Sequence, residues 1–291
     1  MFMQIVTDSC TDYPLASGNQ PDANVHTVPL SVVMGKITYQ GGSDAVRKDF
    51  FRELEISRDL PTTSQPSAGD FAKLYRDLAA KDPDILSIHL SSGLSGTINS
   101  ATAAIKMVPE ANVTIVDTKT LSIGAGWQVA AAAKAIRAGW PKEKILALLK
   151  KISSECHSFY TLNELKYLIH GGRISHMKGL IGSILQIKPL IGVDHESGKY
   201  VQFGQSRSFQ GALKVVVDLI SKIVAAGSKI RVQVVHTANP EGADQLHGLI
   251  DKAFNCTWLP IGPISFVLGA HTGPTMVGVC FAPKTTFEGL P

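Results

Sequence analysis

"DILSIHLSSGLSGTINSA", residues 84–101, changes its hydrophobic period half-way along. Asp84–Leu90 is an apolar run of strand length. After Ser95, Ile98, Ala101, Thr102 and Ile105 recur at i, i+3, i+4 and i+7, the period of one helix face. Between the two halves lie Ser91, Ser92, Ser95 and Thr97 with two glycines, Gly93 and Gly96. A strand that feeds a helix through such a turn is the repeating unit of a parallel α/β sheet. Ligands of these sheets bind beyond the carboxyl ends of the strands.

The flanking sequence repeats the unit. "MQIVTDS" (3–9), "HTVPLSVVM" (26–34) and "NVTIVDT" (112–118) read as strands, the second as one continuous piece. "DAVRKDFFRELE" (44–55) and "SAGDFAKLYRDLAAK" (67–81) read as helices, the latter opening with Ser67 and Asp70 in its first turn. "GAGWQVAAAAKAIRAG" (124–139) predicts a largely buried helix ended by Gly139. This alternation implies a parallel sheet covered by helices on both faces. The second half mixes strands at 158–163, 198–206, 229–239 and 275–283 with helices at 209–227 and 240–254, an α+β pattern beginning near Ser153–His157.

Composition narrows the function. With 44% hydrophobic and 18% charged residues, the chain of 291 residues is a core-forming protein, not a disordered one. The net charge of +4 contains no run of five like charges, which argues against nucleic acid as a partner. Cys10, Cys156, Cys256 and Cys280 form no C-x-x-C pair, and the first ten residues hold no export signal. We therefore read small core thiols in a reducing cytoplasm. Ala253–Pro283 lacks Asp, Glu, Lys and Arg, yet prolines and glycines cut it into strand-sized pieces, so it reads as buried strands and no transmembrane segment.

Three readings of Ser95 compete. Gly93-Leu94-Ser95-Gly96-Thr97 resembles a G-x-S-x-G nucleophile elbow but has Thr97 where the second glycine belongs, and Asp117 and His271 follow in triad order. Ser95 could instead cap the helix, which needs only one of these hydroxyls. Alternatively the helix terminus, with Gly93 and Gly96 allowing close approach, forms a cradle for a carboxylate or phosphate.

Other polar loops invite the same question. "TTSQPS" (62–67) is a polar loop leading into a helix, and "GAHTGPT" (269–275) sets His271 between apolar strands. "GGRIS" (171–175) is either a turn with Arg173 on the surface or a place of positive φ and close backbone approach. Asp8-Ser9 reads as a turn. No H-E-x-x-H, P-loop or complete G-x-G-x-x-G occurs, so no metal and no nucleotide cofactor is expected.

"IVTDSCTD" (5–12), "TSQPS" (63–67), "SSGLSGTINSA" (91–101) and "LKYLIHGGRIS" (165–175) occur in the order seen in the DegV family, followed by "KPLIGVDHESGKY" (188–200), "QSRS" (205–208) and "AHTGP" (270–274). The chain resembles that family from end to end, and in particular the fatty-acid-binding subunits of bacterial fatty acid kinase. The resemblance implies a Rossmann-like N-terminal α/β domain, residues 1–155, and an α+β C-terminal domain, residues 156–291. It implies a long-chain fatty acid in an apolar tunnel, its carboxylate held by Thr63, Ser95 and His271, with Ser92, Gly96 and Thr272 in support. It further implies a non-catalytic carrier that presents the carboxylate to an ATP-dependent kinase for acyl-phosphate formation in phospholipid metabolism. Arg207 would dock that kinase, unless it simply pairs with a neighbouring carboxylate. Two departures from the family pattern, Thr275 after Gly-Pro and Cys10 for a commoner Ser or Thr, bear on pocket shape.

Overall fold

The computed structural model describes residues 3–41, 43–174, 187–225 and 227–290. Ser175, the last residue of the Gly-Gly-Arg segment, lies outside the described residues. The first part of the chain runs β1 (Gln4–Asp8), α1 (Tyr13–Ala16), β2 (Val25–Val28), β3 (Ser31–Met34), β4 (Ile37–Gln40), α2 (Asp44–Ile56), β5 (Thr62–Ser64), α3 (Ala68–Ala79), β6 (Asp84–His89), α4 (Thr97–Ile105) and β7 (Asn112–Asp117). Two helices follow, α5 (Ser122–Arg137) and α6 (Lys142–Glu155). The remainder comprises β8 (His157–Thr161), α7 (Lys166–His170), β9 (Lys188–Val193), β10 (Tyr200–Ser206), α8 (Phe209–Ile223) and β11 (Lys229–His236), then α9 (Pro240–Ala253), β12 (Asn255–Trp258), β13 (Gly262–Pro263), α10 (Phe266–Thr272) and β14 (Val277–Pro283).

The parallel sheet expected from the sequence has the order β2-β1-β6-β7, with every pair parallel. On one face Phe71 and Tyr75 of α3 and Ala101 of α4 join Val6 and Ile85 in a buried cluster. On the other, α5 packs against β1 and β6. Helix α5 is buried along nearly its whole length because a second sheet lies beyond it. Trp127 Nε1 donates to Gln233 Oε1 of β11 at 2.8 Å, joining the helix to that sheet. The second sheet has the order β10-β9-β8-β14-β11-β12, with β13 also on β11, and mixes antiparallel with parallel pairs. Leu213 and Val216 of α8 and Leu246 and Ile250 of α9 bury against Val232, Val234 and Val279 of this sheet. The α/β plus α+β architecture implied by the sequence is therefore present.

Three local expectations are corrected. Residues 26–34 are not one strand: β2 ends at Val28 and β3 starts at Ser31 in a different, antiparallel sheet of order β4-β3-β5. Pro29 has no N–H to continue a ladder, so the chain turns there. The polar loop at 62–67 contains β5, which pairs with β3 in the register Val32↔Thr63. His271 lies in helix α10, not between strands, because Ser265 caps a run of helix-forming apolar residues there. Among the described residues no helix is long and apolar enough to cross a membrane.

Asp8, read from sequence as part of a turn, is a buried junction. Its Oδ1 accepts from Cys10 N at 2.9 Å, and its Oδ2 accepts from Leu90 N at 2.9 Å and meets His89 Nδ1 at 3.0 Å. His89 Nε2 bonds Ser87 Oγ at 2.7 Å, which bonds the Tyr75 hydroxyl at 2.7 Å. The chain of contacts ties the carboxyl end of β1 to that of β6 and to α3. Asp8→Ala should cost about 3 kcal/mol in denaturant unfolding, since it strands buried donors and a histidine. A loss below about 1 kcal/mol would show that the junction is dispensable.

Candidate functional site

The three residues favoured for the head group come from distant segments and meet at one cavity. Thr63 is the half-buried middle residue of β5, flanked by the exposed Thr62 and Ser64, so strand alternation turns it inward. Its Oγ1 bonds His271 Nε2 at 2.9 Å. Ser95 lies in the cavity wall two residues before the first residue of α4; its Oγ accepts from Thr97 N at 3.3 Å and bonds Thr97 Oγ1 at 2.9 Å, while the N-cap position itself is Gly96, so the simple capping reading of Ser95 does not hold. The cavity measures about 30 Å³, and the rest of its wall is largely aliphatic: Leu30, Leu90, Leu94, Leu121, Val267 and Leu268. This is room for a head group, well short of the roughly 300–1,000 Å³ of pockets that enclose a whole ligand.

Arg173 also stands in this wall, which the surface-turn reading of "GGRIS" did not foresee. Its Nη1 donates to Gly171 O at 2.6 Å and its Nε reaches Leu94 O at 3.4 Å. Both uses of glycine occur in that turn. Gly172 has φ +72°, and a Cβ on Gly171 would sit 2.1 Å from His271 Nδ1. Cys10, the departure from the family pattern expected to bear on pocket shape, and Tyr200, which the sequence did not single out, complete the wall.

The supporting residues lie elsewhere. Ser92 Oγ donates to Asp117 Oδ2 at 2.5 Å, and Thr272 Oγ1 donates to Leu268 O at 2.9 Å; neither lines the cavity. The Cβ sides of Gly93 and Gly96, which the cradle reading left open for a ligand, face protein. A Cβ on Gly93 would meet Ser197 O at 2.6 Å, and one on Gly96 would meet Gln65 Oε1 at 2.3 Å, so protein already fills both spaces. Arg207 is exposed just ahead of α8 and enters no ion pair among the described residues. A larger cavity of about 540 Å³ opens at the carboxyl ends of β1 and β2, but Asp8, Asp12, Asp44 and Arg47 in its wall suit no acyl chain.

The nucleophile reading finds no machinery. Among the described residues Ser95 bonds Thr97, His271 bonds Thr63, and Asp117 bonds Ser92 and Lys119, so no base addresses Ser95. The one chain of Ser, His and Asp described above is Ser87–His89–Asp8, whose serine and histidine are both fully buried, which leaves no accessible hydroxyl to act as nucleophile.

The DegV model, described as a family of uncharacterised proteins, matches residues 3–284. This chain belongs to the DegV family. It is 33% identical over 280 residues to a DegV domain-containing protein of Staphylococcus aureus, covering 96% of this chain and 98% of that one. The crystal structure of Bacillus subtilis DegV, described as a fatty acid binding protein, is similar with a TM-score of 0.84 and 30% identity over 98% of this chain and 100% of that one. A DegV lipid binding protein of Thermotoga maritima gives a TM-score of 0.87 and 26% identity, covering 98% and 99%.

In this DegV protein the imidazole of His271 is pushed down to about 3, chiefly by burial and then by the charges of Arg173 and His170. It is neutral at pH 7 and has one N–H to give, while its Nδ1 meets no partner among the described residues. The unfolded chain takes that proton near 6.5, so the folded state loses stability as pH falls from there toward about 3. Asp12 works oppositely. Burial raises it from 3.8 to about 6, so its contribution grows as pH falls through 6.

His271→Gln should therefore lose about 2 kcal/mol less stability than the wild type between pH 7 and pH 4.5 in denaturant melts. Equal losses would mean that His271 is protonated without penalty. Gly171→Ala should cost about 2 kcal/mol by crowding His271, measured in the same melts. A neutral result would mean that the imidazole can step aside.

Proposed function

We propose that this protein binds a long-chain fatty acid, with the carboxylate against Thr63, Ser95 and His271, and presents it in the cytoplasm to an ATP-dependent kinase that forms the acyl phosphate. The observation that carries this reading is a single cavity where the hydroxyls of Thr63 and Ser95, a neutral imidazole, a guanidinium and the Tyr200 phenol meet a wall of leucine and valine. Support also comes from the family relatives described as fatty acid or lipid binding.

The chemistry divides the work. Burying roughly 14 methylenes offers about 11 kcal/mol gross, at about 0.8 kcal/mol each. Hydrogen bonds to a carboxylate add only about 1.5–3 kcal/mol each before desolvation. The tail thus supplies affinity and the head-group residues supply orientation. Thr63 and His271, which satisfy each other at 2.9 Å, can both turn donors toward an arriving carboxylate. Arg173 offsets the negative charge of carboxylate and incoming phosphoryl group. Because the head-group cavity is small, loading the tail requires the aliphatic side chains around it to part.

In this reading residues 1–155 and 156–291 act as two domains with the ligand between them, as Ser95 and Thr63 come from the first and His271 and Arg173 from the second. Arg207, exposed and without an ion pair among the described residues, is the docking contact for the kinase, which makes docking sensitive to salt. The protein supplies no catalytic group of its own.

Organic extraction of gently purified protein followed by mass spectrometry should return long-chain fatty acids in near-stoichiometric amount. Absence of any such acid would sink the reading and favour a small-anion sensor. Ser95→Ala should keep the bound acid but lower acyl-phosphate formation with a fatty acid kinase and ATP at least tenfold. Loss of lipid with full activity once reloaded would reverse the assigned roles of tail and head group.

A further inference from the structure

Two of the four thiols face each other. Cys156 ends α6 and Cys280 is the middle residue of β14, 124 positions further along the chain, yet their Sγ atoms stand 3.0 Å apart. Both cysteines are free, and they are 6% and 2% exposed. Cys10 and Cys256 meet no other thiol among the described residues. The backbone on either side is held. Cys280 is in register with Ser158 of β8 and Gln233 of β11, and Cys156 N donates to Ile152 O at 2.9 Å. Closing the sulfurs from 3.0 Å to a bond of about 2.05 Å takes about 1 Å, which small rotations of two side chains supply without moving the sheet.

Arg231 of β11 brings a positive charge to the pair. Its guanidinium lies over the rings of Trp127 and Phe287, at 4.8 Å and 4.4 Å, and its Nε has no hydrogen-bond partner among the described residues. The contact with Cys280, and then burial, hold the Cys156 thiol well above its usual value. Arg231 acts the other way, favouring the thiolate that is the reactive form. Helix ends open more readily than helix middles, so Cys156 is the sulfur that a small oxidant reaches first.

We propose that Cys156 and Cys280 form a reversible redox switch: hydrogen peroxide joins them in a disulfide that staples the end of α6 to β14, and a thiol reductant reopens it. The Cys156 sulfur attacks one peroxide oxygen, the O–O bond breaks, and a sulfenic acid and water form. The Cys280 sulfur then attacks the sulfenic sulfur, the S–O bond breaks, and a second water leaves. The two thiols give up two electrons and two protons, and one peroxide becomes two waters. The reductant returns both electrons by thiol–disulfide exchange. The bond closes a long loop that contains Arg173 and His271, and restricting such a loop in the unfolded chain stabilises the fold. None of this depends on which ligand the cavity takes.

Treatment of the folded full chain with hydrogen peroxide should lower the free thiols, counted afterwards in denaturant, from four to two. Proteolysis and mass spectrometry without reductant should give one cross-linked peptide pair, carrying Cys156 and Cys280, and dithiothreitol should restore every thiol. The melting midpoint should rise by about 5–10 °C and return on reduction. In Cys156→Ser and in Cys280→Ala neither the cross-link nor the rise should appear. Persistence of all the thiols, their loss to sulfinic acid without a cross-link, or cross-links through Cys10 or Cys256 would overturn the proposal. The peptide map of the unaltered sequence decides the question even where a variant folds poorly.

Discussion

The buried carboxyl group of Asp8 sets the geometry on which the site depends. It accepts the backbone N–H of Cys10 and of Leu90 and holds His89, so the turns leaving β1 and β6 are fixed to one another. Cys10 and Leu90 are themselves wall residues of the cavity that Thr63, Ser95 and His271 share. Ser91–Gly96, which carries Ser95, starts from the same point. In a low-dielectric interior such a network is stable only when every member is paired, which makes the junction rigid. A polar triad at the centre of the sheet thus does structural work, although its residue types could be mistaken for those of a hydrolase.

Close backbone approach then assembles the rest. Gly171 lets the turn after α7 lie against the ring of His271, and Gly93 lets the Ser197–Gly198 turn lie on the loop before α4. Ser91 Oγ donates to Gly198 O at 2.8 Å, which seals that second contact. The polar residues of the cavity therefore stand on elements from both halves of the chain, each locked by packing that a methyl group would prevent. Burial keeps His271 neutral, so the positive charge in the cavity wall comes from Arg173, while the hydroxyls and imidazole are dipoles.

How much of this was legible depended on range. The parallel strands and their helices were readable because apolar period and capping residues are local, as at Ser67 and Asp70, which form a reciprocal cap on α3. The break at Pro29 was also written in the sequence, since proline cannot continue a ladder, but the apolar residues on either side masked it. It was the family resemblance, not local pattern, that pointed to Thr63 and His271, without sight of β5 or α10. Their facing directions follow from pairing with Val32 and from the capping of α10 by Ser265, both of which involve partners elsewhere in the fold. The sequence leaves Arg173 open either to the surface or to a close-packed turn, because nothing within a few positions of it announces a neighbour at Leu94.

The sequence by itself determined the period of each segment, the parallel α/β character of the first half, and the ordered motifs that mark the DegV family. Those properties reside in neighbouring residues and need no knowledge of long-range contacts. Only the tertiary structure decided that Asp8 is a buried junction, that Gly93 and Gly96 are filled by protein, and that Arg173 and Tyr200 face the cavity. Each of these depends on which distant atoms occupy the space beside a residue, and close packing decides that only when all the elements are in place.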